Sequence, residues 1–130
     1  MYTINEVADI CDISPHTIRY YDKEGLLPFV SRNETGRRQF SDTDLNVIKL
    51  ICCFKNSGMQ IKNIKKYIDL TMQGAETSAE RKEMMINHKK NINSQMADLK
   101  KNLNIIDLKI ASFDSINSFS LAQLFDDQNK

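Results

Sequence analysis

Ser14-Pro-His-Thr-Ile-Arg-Tyr-Tyr-Asp-Lys-Glu-Gly25 is the stretch from which the fold is read. Ser14 suits an N-cap, Pro15 suits the first helical turn, where a missing N–H is no loss, and Gly25 supplies a stop. Between them a helix of about three turns is expected. Ile18 faces inward in that helix, and His16, Thr17, Arg19, Tyr20 and Lys23 line an outer face. Short polar groups reach base edges and cations meet phosphates, so such a helix suits a DNA groove. Upstream, Thr3-Ile-Asn-Glu6 has the form of a capping box. Ile4, Val7, Ala8 and Cys11 then keep helical spacing, and Asp12-Ile13 makes a tight turn. Helix, short turn and capped second helix form the helix-turn-helix pattern. Two ordinary packed helices would share that local pattern, so the flanking sequence has to separate the two readings.

Downstream, Leu26-Leu-Pro-Phe29 is an apolar exit. Phe29–Arg32 and Arg37–Phe40 read as two strands around an Asn33–Gly36 turn. A two-stranded hairpin is hardly stable alone, so it is expected to pack on the helices as a wing. Its tip carries Arg32, Arg37 and Arg38, cations suited to the phosphate backbone. Ser41-Asp-Thr-Asp44 opens a third helix, with Leu45, Ile48 and Cys52 on one stripe broadened by Val47, Ile51 and Phe54. Gly58 ends it. A fourth helix passes through Ile64 and Ile68 to Gly74, with Lys62, Lys65 and Lys66 outside and Lys62 near enough its start to touch phosphate.

Thr77-Ser-Ala-Glu80 reads as another capping box, opening a long helix free of Gly and Pro. Ile92, Met96, Leu99, Leu103, Ile106, Ile110 and Phe113 recur at alternating spacings of four and three, with Met85 extending the stripe backwards and Lys89 breaking it. A narrow stripe on a polar helix specifies a coiled coil. At ~1.5 Å per residue about 35 residues reach ~50 Å, more than the rest of the chain can cover, so a homodimer is expected. Spacing alone leaves parallel and antiparallel pairing open. The division expected is 1–72 for the winged helix-turn-helix domain, 73–113 for linker and dimer helix, and 114–130 for a short C-terminal segment. In that segment Ile116, Phe119, Leu121, Leu124 and Phe125 suit an amphipathic helix packed back on the dimer, or an end that frays.

The 130 residues carry a net charge of +1, so any DNA footprint must be a local patch. Arg19, Lys23, Arg32, Arg37 and Arg38 form one, diluted by Asp22, Glu24 and Glu34. No run suits a membrane span and no signal peptide is visible, so a cytoplasmic protein is expected. The three cysteines, Cys11, Cys52 and Cys53, lack the spacing of a disulfide framework or zinc finger, and His16 and His88 stand apart. Neither a metal site nor a cofactor is expected. No nucleophile–base–orienter set, carboxylate pair or phosphate loop points to an enzyme.

In this order of elements, Thr3-Ile-Asn-Glu-Val-Ala8, Thr17-Ile-Arg-Tyr-Tyr-Asp22, Gly25-Leu-Leu27, Gly36-Arg-Arg-Gln-Phe40 and Ser57-Gly-Met-Gln-Ile61 resemble the MerR family of bacterial transcription regulators, over roughly residues 1–113. Arg37 departs from the aromatic or aliphatic residue many members carry, and Gln60 from a common capping Ser or Thr. The resemblance implies a mainly α fold, a winged helix-turn-helix followed by a long antiparallel coiled-coil helix. It implies a homodimer on a palindromic site in double-stranded promoter DNA. The DNA is reshaped there to bring RNA polymerase contacts into phase. Thr17, Arg19 and Tyr20 would meet the major groove and nearby phosphates, Arg37 and Arg38 would serve the wing, and Lys62 another phosphate.

Metal-sensing members place cysteines at the start of the dimer helix and beyond; residues 76–130 contain none. Cys53, five residues before Gly58, and the Gln73–Lys82 stretch resemble the NmlR/AdhR-like subgroup. That subgroup responds to reactive aldehydes and other electrophiles. A sensing thiol needs thiolate character and access, which Lys49 and Lys55 would favour. On chemistry alone, Cys53 reads first as a small buried hydrophobe, as most free cysteines are, and it is the resemblance that favours sensing; Cys11 and Cys52 read as core. Other inputs fit the same frame: a small ligand at the dimer-helix junction, near Met59, Met84 and Met85, or no inducer at all, in an architectural DNA-binding or coiled-coil interaction protein.

Overall fold

The structure, a computed structural model, describes residues 1–114. The expectation for Ile116 to Phe125 lies outside the described residues. Two compact units divide the chain, the first being Met1–Lys89 and the second beginning at Lys90.

The first unit opens with α1 (Ile4–Cys11), capped by the Thr3/Glu6 box, and turns at Asp12, which holds φ 55°. A left-handed conformation is tolerable for Asp. α2 (Pro15–Lys23) starts at the Ser14 cap, whose hydroxyl accepts from the Thr17 N–H at 3.0 Å. It is a little shorter than expected. Gly25 at φ 81° breaks it, and the Leu26 N–H returns to the Tyr21 carbonyl. The hairpin strands are β1 (Ser31–Arg32) and β2 (Arg38–Gln39), antiparallel, with Ser31 facing Gln39 and Arg32 facing Arg38.

Both strands are shorter than expected, for separate reasons. Phe29 and Val30 turn back onto the core, the Val30 N–H bonding the Leu27 carbonyl. Phe40 leaves the hairpin to pair with Tyr2 through two backbone hydrogen bonds of 2.7 and 3.0 Å. The chain before α1 thus acts as a third, one-residue rung of the wing, anchoring an element that two strands alone would not hold. Asn33 shapes the tip. Its Oδ1 accepts from the Thr35 N–H, the Thr35 hydroxyl and the Arg37 N–H.

α3 (Asp42–Asn56) starts with a complete Ser41/Asp44 capping box, and α4 (Ile61–Gln73) follows a turn at Gly58. Ile18, Leu26, Phe40, Ile48, Ile51, Ile64 and Val7 are fully enclosed, so α1–α4 and the base of the wing share one core. α5 (Ser78–Phe113) is preceded by a single 3-10 turn, Ala75–Thr77. Here the expected capping box is replaced. The buried Thr77 hydroxyl donates to the Leu70 carbonyl at 2.6 Å and receives the Arg81 Nε at 3.0 Å. Arg81 also reaches the Gly74 carbonyl at 3.2 Å. Thr77 is therefore used to close the end of α4, whose last carbonyls need partners.

The second unit is described through the continuation of α5. From Asn93 to Leu108 its side chains are all exposed. Met96, Leu99, Leu103, Ile106, Ile110 and Phe113 stand between 55% and 71% open, an apolar stripe that the described chain does not cover.

Candidate nucleic-acid interface

α2 is held from behind. Ile18 and Tyr21 are buried, with burial pushing the Tyr21 phenol above its usual pKa. The opposite face presents His16, Arg19, Tyr20 and Lys23, all exposed, with Tyr20 packed at a tilt on Tyr21. Thr17 sits half-buried beside them, its hydroxyl 2.9 Å from that of Ser14. The five residues expected on the outer face therefore do share one.

Beside this helix a cleft of about 700 Å³ opens between the chain start, α2 and the hairpin. Arg19, Arg32, Arg37 and Arg38 line it together with Tyr2, Thr3, Asn5 and Gln39, and none of its lining residues is acidic. Four guanidiniums around one concavity make a focused positive field on a chain of nearly zero net charge.

The arginines are not equivalent. Arg38 Nε donates to Asp22 Oδ2 at 2.7 Å, with both side chains only about a quarter exposed. Arg32 lies 3.9 Å from the same carboxylate oxygen and donates to the Gly36 carbonyl at 2.8 Å. Asp22, which reads in sequence as a diluting charge, is thus the clasp joining α2 to the wing. Arg37 and Arg19 are exposed at the two sides. Lys62 is exposed in the first turn of α4, a helix whose N-cap Gln60 makes no side-chain cap bond.

Sequence reasoning missed Tyr2, Asn5 and Gln39 as cleft residues. Tyr2 also donates its hydroxyl to Asp42 at 2.8 Å, which raises the phenol's pKa. The available signal was an aromatic residue directly before an N-cap, where a staple is expected.

The cysteines separate. Cys53 is exposed, so the buried-hydrophobe reading fails for it, whereas Cys52 is in the core and Cys11 is half-buried against it. Burial, reinforced by Cys11, pushes the Cys52 thiol up to about 11. Burial also raises Cys11, opposed by the Lys49 charge. Lys49, expected to act on Cys53, bears on Cys11. Met59 is buried and Met84 and Met85 half-buried, Met85 against the core. Among the described residues no group of His, Cys, Asp or Glu is arranged to hold a metal ion, and no helix is long and apolar enough to cross a membrane.

A capped outward-facing helix clasped to an arginine wing defines a winged helix-turn-helix DNA-binding protein. Two family models match, the MerR helix-turn-helix regulatory protein over residues 2–71 and the MerR DNA-binding segment over residues 45–107. The chain belongs to the MerR family of transcriptional regulators. A Haemophilus influenzae HTH-type transcriptional regulator is 43% identical over 112 residues, covering 86% of this chain and 83% of its own. AdhR of Bacillus subtilis is 30% identical over 89 residues, covering 68% of this chain and 64% of its own. Among solved structures, HiNmlR is described as a MerR family regulator lacking the sensor domain, bound to promoter DNA. It is 43% identical, with a TM-score of 0.80, covering 86% of this chain and 89% of its own.

Proposed function

We propose that this chain binds a palindromic promoter site as a homodimer, alters the shape of the DNA there, and so acts on RNA polymerase. Its input is a reactive aldehyde or another electrophile, taken up at Cys53. The observation that carries the DNA half is the arginine cleft adjoining the exposed face of α2. HiNmlR, bound to promoter DNA, lends it support. In this reading His16, Thr17, Arg19, Tyr20 and Lys23 meet the major groove and flanking phosphates. Arg32, Arg37 and Arg38 hold the backbone beside it, and Lys62 takes a further phosphate.

The homodimer reading is supported by the exposed stripe on α5. Ile92, Met96, Leu99, Leu103, Ile106, Ile110 and Phe113 face a second copy, antiparallel as in the family. Residues 1–72 read DNA and residues 73–113 link and dimerise.

Exposure of Cys53 supports the input. Its thiolate adds to the aldehyde carbonyl carbon and the oxygen takes up a proton, giving a hemithioacetal. The test is transcription in vitro from the promoter beside this protein's own gene, with and without methylglyoxal, for wild type, Cys53→Ser and Arg19→Ala. Induction confined to proteins with Cys53 is expected, with Arg19→Ala losing the specific site. Normal induction of Cys53→Ser removes the thiol reading, and uniform loss on all DNA in Arg19→Ala removes specific readout.

A further inference from the structure

Ser57 follows Cys53 by four residues, so the two side chains share a face at the end of α3. The Ser57 hydroxyl lies 2.6 Å from the Cys53 carbonyl, 3.3 Å from the Phe54 carbonyl and 2.8 Å from Nε2 of His88 on α5. One hydroxyl has one proton. The shortest of these contacts is to a carbonyl, which can only accept, so the Ser57 proton belongs there. His88 must then carry its own proton on Nε2 and donate to the Ser57 oxygen. The imidazole also stands edge-on to Phe54, centroids 6.0 Å apart, and Phe54 packs edge-on to Tyr67 of α4 at 5.2 Å. Three helices meet at this one buried ring, and a single two-bond relay ties the Cys53 turn to α5.

From this geometry we infer that His88 is the positioning residue through which the chemical state of Cys53 reaches α5. The inference rests on the reading of Cys53 as the input. A hemithioacetal on Cys53 adds a hydroxyl that both donates and accepts. It sits on the helix face that carries Ser57, one turn away, where it competes for the Ser57 oxygen or for the His88 N–H. Either exchange breaks the relay and leaves α5 held at this point by ring contacts alone. Bistable packing of this kind turns a local modification into a change in a distant element. Glutamine, with an amide N–H of similar reach, can replace the imidazole donor; phenylalanine keeps the ring contact and removes it.

Amide hydrogen exchange tests this on the full-length protein, with iodoacetamide as the probe that modifies Cys53 and mass spectrometry verifying that site alone is alkylated. Wild type, His88→Phe and His88→Gln are compared before and after alkylation. Protection of residues 84–89 is expected to fall at least threefold on alkylation in wild type and in His88→Gln. In His88→Phe it starts low and does not change. A threefold fall that persists in His88→Phe, or none in wild type, overturns the inference. Because the readout is protection, not transcription, a promoter that ignores aldehydes would sink the input reading and leave this result standing.

Discussion

Replacing Asp22 by Asn keeps the shape of the clasp between α2 and the wing and removes its charge. Arg38 then keeps a hydrogen-bond partner but loses the ion pair at 2.7 Å, and Arg32 loses its counter-charge at 3.9 Å. A fully exposed pair is worth ~0.2–1 kcal/mol and a hydrogen bond to a charged group ~1.5–3 kcal/mol. With the side chains 21% and 28% exposed, the Arg38–Asp22 pair lies between those limits. A loss of about 1.5 kcal/mol is expected, lowering Tm by roughly 6–12 °C for a unit of this size. Protein concentration must be fixed, since the proposed dimerisation would shift the apparent stability. DNA binding should split in two. One carboxylate fewer beside four arginines strengthens attraction to any duplex, by up to about one counterion in the salt slope. The wing, no longer held against α2, loses register with the groove. The ratio of specific to random-duplex affinity, read by fluorescence anisotropy at one salt concentration, should fall about tenfold, the equivalent of ~1.4 kcal/mol. An unchanged ratio with Tm within about 2 °C of wild type would refute the idea that Asp22 positions the wing.

Three further outcomes are expected. Gly25→Ala should lose about 1–2 kcal/mol in urea unfolding, because an L-residue at φ 81° is strained; the new Cβ, 3.0 Å from Lys65 Cε, meets only a flexible chain that can move. Arg81→Ala should lose about 1.5–3 kcal/mol by removing the charged donor to Thr77 and the Gly74 carbonyl, measurable by the same titration. Alkaline stability should bear the mark of Cys52. Its folded pKa of about 11 exceeds the unfolded value near 9.0, so the unfolded state releases its proton first. Stability then declines as pH rises from 9 and levels off above 11. Comparison of the slope over that range with Cys52→Ala checks it, an identical slope in both counting against the assignment.

Much of the fold was legible because caps and turns are local. Thr3, Ser14, Ser41, Gly25 and Gly58 each act within a few residues, and each ends or begins a helix where its chemistry says. What stayed hidden was long-range. Nothing near Tyr2 announces that its backbone pairs with Phe40. Nothing near Thr77 tells that its hydroxyl closes the end of α4 and does not open α5. The outer face of α2 was readable from helical periodicity, and the arginines of the wing from their position at a turn. The role of Asp22 was not, since a carboxylate among arginines looks like dilution until the distance to Arg38 is known. Cys52 and Cys53 were separable only in part. The apolar stripe through Leu45, Ile48 and Cys52 placed one of them inside, but exposure of the other depends on which helices pack against α3.

Successive residues on an α-helix point about 100° apart. This rotation sends the Cys52 thiol inward and leaves Cys53 at the surface. In evolutionary terms the neighbours live under different rules. A change at Cys52 must first satisfy the packing of the core, so it is screened for folding before anything else. A change at Cys53 escapes that screen. Lineages can acquire, lose or exchange a reactive group there in a single codon step while inheriting the DNA-reading apparatus intact. Where an input sits at such a position, as proposed for Cys53, it is free to drift faster than the output.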